Sequence, residues 1–283
     1  MNETVSSASI FCMAIAGLIS FCIPVALFFY FRKKKHADIL PFFIGMAVMF
    51  VFALVVESLV HQLVLNVLPV GKTIMGNIWL YALYGGLMAG LFEETGRFVA
   101  FKTILKKYRD RDIDALMYGA GHGGFEAAAV FGATMISNIV IAVMINSGMT
   151  SVLTQTATAE TLPQIEAMLD SLKTTAPYTY FIGLIERFFA IALQLSLSVL
   201  VWFAAKDGRK WILYPLAILL HLFVDGALVI AAHYFTSYWI IYAILLIETA
   251  IVVLTAFAVW KRNAKKGVNQ CRSSRLRTDI ETI

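Results

Sequence analysis

A chain of 283 residues that is 60% hydrophobic and only 14% charged carries more apolar surface than a soluble domain of its size buries. The net charge of +5 sits in alternate loops between apolar stretches, which is a membrane-topology pattern and not a nucleic-acid-binding face, and no nucleotide motif accompanies it. Cys12 and Cys22 in the first apolar stretch and Cys271 near the C-terminus form no paired spacing, which excludes a disulfide framework and a cysteine-based metal site.

Seven stretches are long and apolar enough to span, at about 8–31, 40–66, 76–105, 113–146, 179–205, 211–233 and 237–260; a crossing helix needs roughly 20 such residues. The expected fold is an all-α polytopic bundle of about seven transmembrane helices, forming one membrane domain over 1–260. Arg32 to Lys35, Lys106 to Arg111, Lys206 to Lys210 and Lys261 to Arg277 mark the inner loops, whereas the opposite loops hold Lys72 and Lys173. The positive-inside rule then sets the N-terminus outside and the C-terminus in the cytoplasm. The first stretch has its basic cluster after the apolar run, as a retained anchor does and a cleaved signal peptide does not.

In chain order, the second stretch holds Glu57 and His61, four apart and on one face. The third carries Gly85-Gly86, Gly90 and Glu93-Glu94-Thr95-Gly96-Arg97, and the fourth carries Gly119, Gly121, Gly123-Gly124, His122 and Glu126. Small residues at this density let membrane helices pack closely. The outer loop at about 147–178 contains Thr161-Leu-Pro-Gln164, which resembles a capping box, followed by Leu162, Ile165, Met168, Leu169 and Leu172 at helical spacing. This predicts a short amphipathic helix lying on the outer membrane surface. Glu186-Arg187 lies in the fifth stretch and reads, like Glu57 with His61, as an inter-helix ion pair; Glu248 in the seventh reads as facing Arg97 or a neighbouring helix. His221 and Asp225 lie in the sixth, with Asp225 taken as the one aspartate within a span. Trp202, Trp211, Trp239 and Trp260 fall near span ends, as an aromatic belt predicts, and 261–283 is a basic tail suited to solvent or lipid headgroups.

Ionisable groups inside a bilayer are costly and survive where they face one another or a hydrated cavity. Helix rise converts their positions to depth. Measured from the cytoplasmic side, Glu93, Glu126 and Asp225 fall at about 20–22 Å, and Arg97, His122 and His221 at about 14–16 Å. Glu93 and Arg97, His122 and Glu126, and His221 and Asp225 are each four apart, so each helix offers one polar face to a common layer. A water held between a carboxylate and two imidazoles becomes a nucleophile, with Glu93 or Glu94 as general base and Arg97 holding the second glutamate or a substrate carbonyl. His122 and His221 either donate to a developing oxyanion or ligate zinc; the sequence leaves both open. No His-Glu-x-x-His motif is present, and Asp225 lacks an aspartate partner for a paired-aspartate site.

At these residues the chain resembles the YhfC family of bacterial intramembrane proteases and, more distantly, the CAAX-processing and bacteriocin-processing superfamily and the PrsW proteases. The likeness covers about 85–230 and rests on Glu93-Glu94 with Arg97, Tyr118-xxx-His122 and His221-xxx-Asp225. The Glu-Glu-x-x-Arg spacing departs from the CAAX-type pattern, so cleavage of prenylated proteins is not implied, and Glu126 is an addition to the general pattern. The resemblance implies that Glu93 activates water, that Glu94 and Arg97 support it, and that His122 and His221 complete the site. It implies a membrane-associated peptide or protein substrate cut within a bacterial plasma membrane, and it leaves a metal-free glutamate mechanism and a zinc mechanism both open. A proton- or cation-coupled transporter using the same carboxylates and imidazoles is the competing reading, disfavoured by the absence of an internal repeat. A non-enzymatic scaffold is the third.

Overall fold

The computed structural model describes residues 4–155, 157–159 and 161–264. Most of the basic tail, with Cys271, lies outside the described residues. Among the described residues every regular element is a helix: the protein is a helical polytopic bundle. The long elements are α1 (Ser7–Lys34), α2 (Leu40–Val67), α3 (Ile78–Lys102), α4 (Ile113–Asn146), the short α5 (Leu162–Thr174), α6 (Thr179–Lys206), α7 (Leu213–Tyr234) and α8 (Tyr238–Asn263). By length and composition six of the described helices are able to cross a membrane: α1, α2, α4, α6, α7 with the turn that precedes it, and α8.

The seventh expected span, α3, forms as a helix of 25 residues, about 37 Å long, and is long enough to cross. Glycines and the Glu93, Glu94 and Arg97 side chains dilute its hydropathy, which keeps it out of the six. Its start is well specified, because the Asn77 side chain accepts from the backbone N–H groups of Trp79 and Leu80.

The chain divides into two compact units. The smaller comprises Met1–Val25 and Glu126–Phe188, with a core built on Met13, Ala16, Met135, Ala142, Ile145, Leu169 and Leu172. The last two come from α5, so the amphipathic pattern of the outer loop does form a helix. The capping box does not form. The Thr161 hydroxyl accepts from the Thr158 backbone N–H at 2.9 Å and leaves the first turn of α5 uncapped by a side chain.

The larger unit comprises Ala26–Phe125 and Phe189–Ile283. Its core includes Phe101, Tyr118, Leu197, Leu200, Trp202, Ala217 and Val252. The apolar window of α6 is 72% buried, against 22–28% in the other five candidate spans, and its Gln194, Ser196 and Ser198 are buried in protein. Trp202 follows from this. It is fully buried, packs on Phe101 at 5.0 Å and donates its indole N–H to Asp112 at 3.0 Å, so it is a core residue and not part of an aromatic belt. Trp211 and Trp239 are exposed. Asp225 is not the one aspartate within a span: Asp114 occupies the first turn of α4, fully buried, where it accepts the Asp38 backbone N–H at 2.7 Å.

Candidate active site

Two close approaches bring the polar faces together in the larger unit. At Gly90 of α3, an added Cβ would lie 2.7 Å from the Ile218 carbonyl oxygen and 3.4 Å from the His221 Cβ, so α7 rests directly on the α3 backbone. At Gly123 of α4, an added Cβ would lie 2.8 Å from the Gln194 Cβ, so α6 rests on α4. Any side chain at either position would push a helix away from the layer that holds the polar groups.

The result is one buried network. His122 Nε2 donates to Glu93 Oε2 at 2.9 Å, since a carboxylate oxygen accepts. Gln194 Nε2 donates to the same oxygen at 2.8 Å. The Gln194 carbonyl accepts from Arg97 Nη2, and Arg97 Nη1 donates to Glu94 Oε2. Glu94 Oε1 accepts from His221 Nδ1 at 2.9 Å, and His221 Nε2 faces Asp225 Oδ2 at 3.4 Å. The path therefore runs His122, Glu93, Gln194, Arg97, Glu94, His221, Asp225 without a break.

Burial grades along that path. Arg97, Glu94 and His122 are fully buried, Glu93 is 6% exposed, and the Asp225 side chain is 37% exposed. The Arg97 guanidinium lies 6.0 Å from the Tyr118 ring centroid, and that ring stacks on His122 at 5.9 Å. His122 Nδ1 and the Tyr118 hydroxyl are buried with no hydrogen-bond partner, although buried polar groups are almost always satisfied. They are two unmet polar positions beside the Glu93–His122 pair.

Six of the seven sequence-derived site residues thus meet: Glu93, Glu94, Arg97, His122, His221 and Asp225. Glu126 pairs with Arg187 at 3.3 Å within the smaller unit, where Arg187 also contacts Glu186. Glu57 and His61 pair within α2 at 3.1 Å, and His61 reaches across to the Tyr84 hydroxyl at 3.0 Å. Glu248 is 5% exposed and has Asp225 as its electrostatic neighbour, while the hydrogen-bond partners of Arg97 are Glu94 and Gln194. The residue that sequence reasoning missed is Gln194, which joins the Glu93 side to the Glu94 side. A lone amide in the apolar run Ile-Ala-Leu-Gln-Leu was the available signal.

A family model described as YhfC intramembrane metalloprotease matches residues 19–251. That description implies a metal. The donor types suit one, but their arrangement does not: His122 Nε2 and His221 Nδ1 each point at a carboxylate, and among the described residues no three His, Cys, Asp or Glu side chains converge to hold an ion. The Uncharacterized membrane protein YhfC of Bacillus subtilis (strain 168) is 40% identical over 219 residues, which is 77% of this chain and 83% of that protein. No solved structure matches. A family match across most of the chain, and a relative at this identity and coverage, establish that this multi-pass membrane protein belongs to the YhfC family.

Proposed function

We propose that the protein is an intramembrane endopeptidase that cuts a membrane-associated peptide or protein, with Glu93 as the general base. The observation that carries this reading is the unequal treatment of two adjacent glutamates. Glu94 is ion-paired with the fully buried Arg97, whereas the hydrogen-bond partners of Glu93 are an imidazole and a carboxamide that share one of its oxygens. With Oε2 occupied by two donors, Oε1 is the atom that takes a proton from water.

In this reading the water oxygen bonds to the peptide carbonyl carbon as its proton passes to Glu93. The C–N bond then breaks as Glu93 returns that proton to the amide nitrogen, and the second water proton leaves with the new carboxylic acid. His221 Nε2, engaged only at 3.4 Å by Asp225, is the donor free to turn toward the oxyanion. The buried, unmet Tyr118 hydroxyl and His122 Nδ1 suit the water or the substrate backbone. The basic clusters of the sequence support an N-terminus outside and a cytoplasmic C-terminus, and the likeness to a Bacillus subtilis membrane protein supports a bacterial plasma membrane as the setting.

The test uses the full chain in lipid nanodiscs and a fluorescence-quenched peptide of about 20 apolar residues flanked by lysines. Cleavage by the wild type and its loss in Glu93→Gln, with an unchanged melting temperature, supports the reading. Cleavage at the wild-type rate in Glu93→Gln overturns it. The pairwise arrangement of His122 and His221 predicts that cleavage survives a chelator. Loss on chelation with recovery on added zinc would turn both imidazoles from hydrogen-bond donors into ligands.

A further inference from the structure

Beside the buried network stands a second polar row, made by Glu57 and His61 of α2 and Tyr84 of α3. It lies along the seam of these two helices. Phe52 packs against Gly96, where an added Cβ would lie 2.6 Å from its ring, and nine residues further along α2 His61 meets Tyr84. The two helices are therefore antiparallel in register, and Glu57, five residues past Phe52, falls between the His61–Tyr84 contact and the level of Glu93. Glu57 is close enough to Glu93, His221 and Asp225 to interact electrostatically with each. Exposure rises along the row, from Glu57 at 11% of its side chain to His61 at 32%.

The hydrogen bonds join the row end to end. His61 Nε2 faces Glu57 Oε1 at 3.1 Å, and Nδ1 faces the Tyr84 hydroxyl at 3.0 Å. A neutral imidazole donates from one nitrogen and accepts at the other, so a proton arriving at one edge is matched by one leaving at the other. We propose that Glu57, His61 and Tyr84 form a proton relay between the Glu93 site and the outer end of the α2–α3 seam. This rests on the peptidase reading above. Hydrolysis leaves one proton on the new carboxylic acid, inside a site whose Glu94, Arg97 and His122 are fully buried. That proton passes to a Glu57 oxygen; with His61 in its Nδ1–H tautomer, the Glu57 O–H then gives the proton to Nε2, Nδ1–H gives its own to the Tyr84 oxygen, and the Tyr84 O–H gives its own to water at the outer end of the seam. No bond other than these O–H and N–H bonds changes. The groups facing Glu57 are His61 on its own helix, Glu93 and Tyr84 on α3, and His221 and Asp225 on α7. Glu57, His61 and Tyr84 are thus proton-transfer residues that serve the Glu93 site.

The test has one arm that needs no turnover. In nanodiscs, deuterium exchange of the His122 ring N–H bonded to Glu93 is followed by nitrogen-15 NMR after a shift into deuterated buffer. His61→Gln keeps two hydrogen-bonding ends but does not shuttle a proton, and is expected to slow that exchange at least about a hundredfold. Tyr84→Phe, which keeps the ring packed on His61 at 5.3 Å, slows it less. His61→Ala is restored by imidazole added to the buffer. In the second arm, with the quenched peptide, kcat falls at least about a hundredfold in His61→Gln while KM holds. Unchanged exchange in His61→Gln overturns the relay, as does a fall in kcat that imidazole does not rescue in His61→Ala. Slowed exchange together with a wild type that does not cut the peptide leaves the relay standing and removes the peptidase reading.

Discussion

Glu93 and Glu94 are neighbours on one helix, both buried in the same layer, yet their surroundings differ in kind. Glu94 meets a full positive charge: Arg97 donates to one oxygen and His221 to the other. Glu93 meets no guanidinium in hydrogen-bond contact: His122 and Gln194 share a single oxygen. Removing a charge from water costs several kcal/mol, and a buried partner of opposite sign offsets that cost while pinning the group in place. On this side the network is a structural clamp. On the Glu93 side the carboxylate is oriented by two donors on one oxygen with no guanidinium bonded to it, which suits a base. Two identical side chains are thus assigned different work by what sits opposite them.

Substituting each glutamate in turn is the sharpest way to break this contrast. Glu93→Gln keeps the shape and the hydrogen-bonding edge, so the expected result is a loss of about 10²–10⁴ in kcat with little change in melting temperature. Glu94→Gln strands Arg97 in a fully buried site and is expected to cost about 3–5 kcal/mol of stability, read by denaturation in mixed micelles. If Glu94→Gln is stable and inactive while Glu93→Gln is unstable, the roles are exchanged.

Much of this contrast was out of reach of the sequence, and the reason is physical. Helix rise reports depth, so the layer containing Glu93, Arg97, His122 and His221 was legible from spacing alone. Rotation about each helix axis relative to its neighbours is set by packing at Gly90 and Gly123, and it decides partners. Hence His122 was placed in the site but its bond to Glu93 was not foreseen, and Glu126, at matched depth on the same helix, pairs with Arg187. Gln194 shows a different gap. Counted back from Lys206, it sits about 18 Å deep, within the same layer. Depth and spacing single out ionisable groups, and an amide that bridges two of them carries no charge to mark it. Trp202 failed for the converse reason: proximity to a span end predicts a belt only if that face meets lipid, and α6 is wrapped by protein.

Gln194 is where the two sides join, so its removal sharpens the comparison further. Gln194→Ala takes one of two donors from Glu93 and one acceptor from Arg97, leaving buried polar groups unpaired at a cost of about 1–3 kcal/mol. Both readouts should move: stability through Arg97, and kcat through a Glu93 that is less well oriented. Gln194→Leu, of similar volume, removes both hydrogen bonds without opening a cavity, so stability and kcat should again fall together. A loss of stability with kcat unchanged would mean that the bridge serves the clamp alone.

The smallest effect is expected where the same charge chemistry meets water. Lys173 and Asp170 form an ion pair at 3.0 Å on α5, one turn apart, with the Asp170 side chain 62% exposed. Arg97 and Glu94 are also one turn apart, and both are fully buried. The two pairs match in sequence separation and in charge and differ chiefly in access to water, which screens the exposed one and solvates either partner when the other is removed. Lys173→Ala should therefore cost under about 0.5 kcal/mol, within the range of exposed pairs. A loss as large as that of Glu94→Gln would mean that burial is not what separates the clamp from an ordinary helical ion pair, and the division of labour between the two glutamates would need another cause.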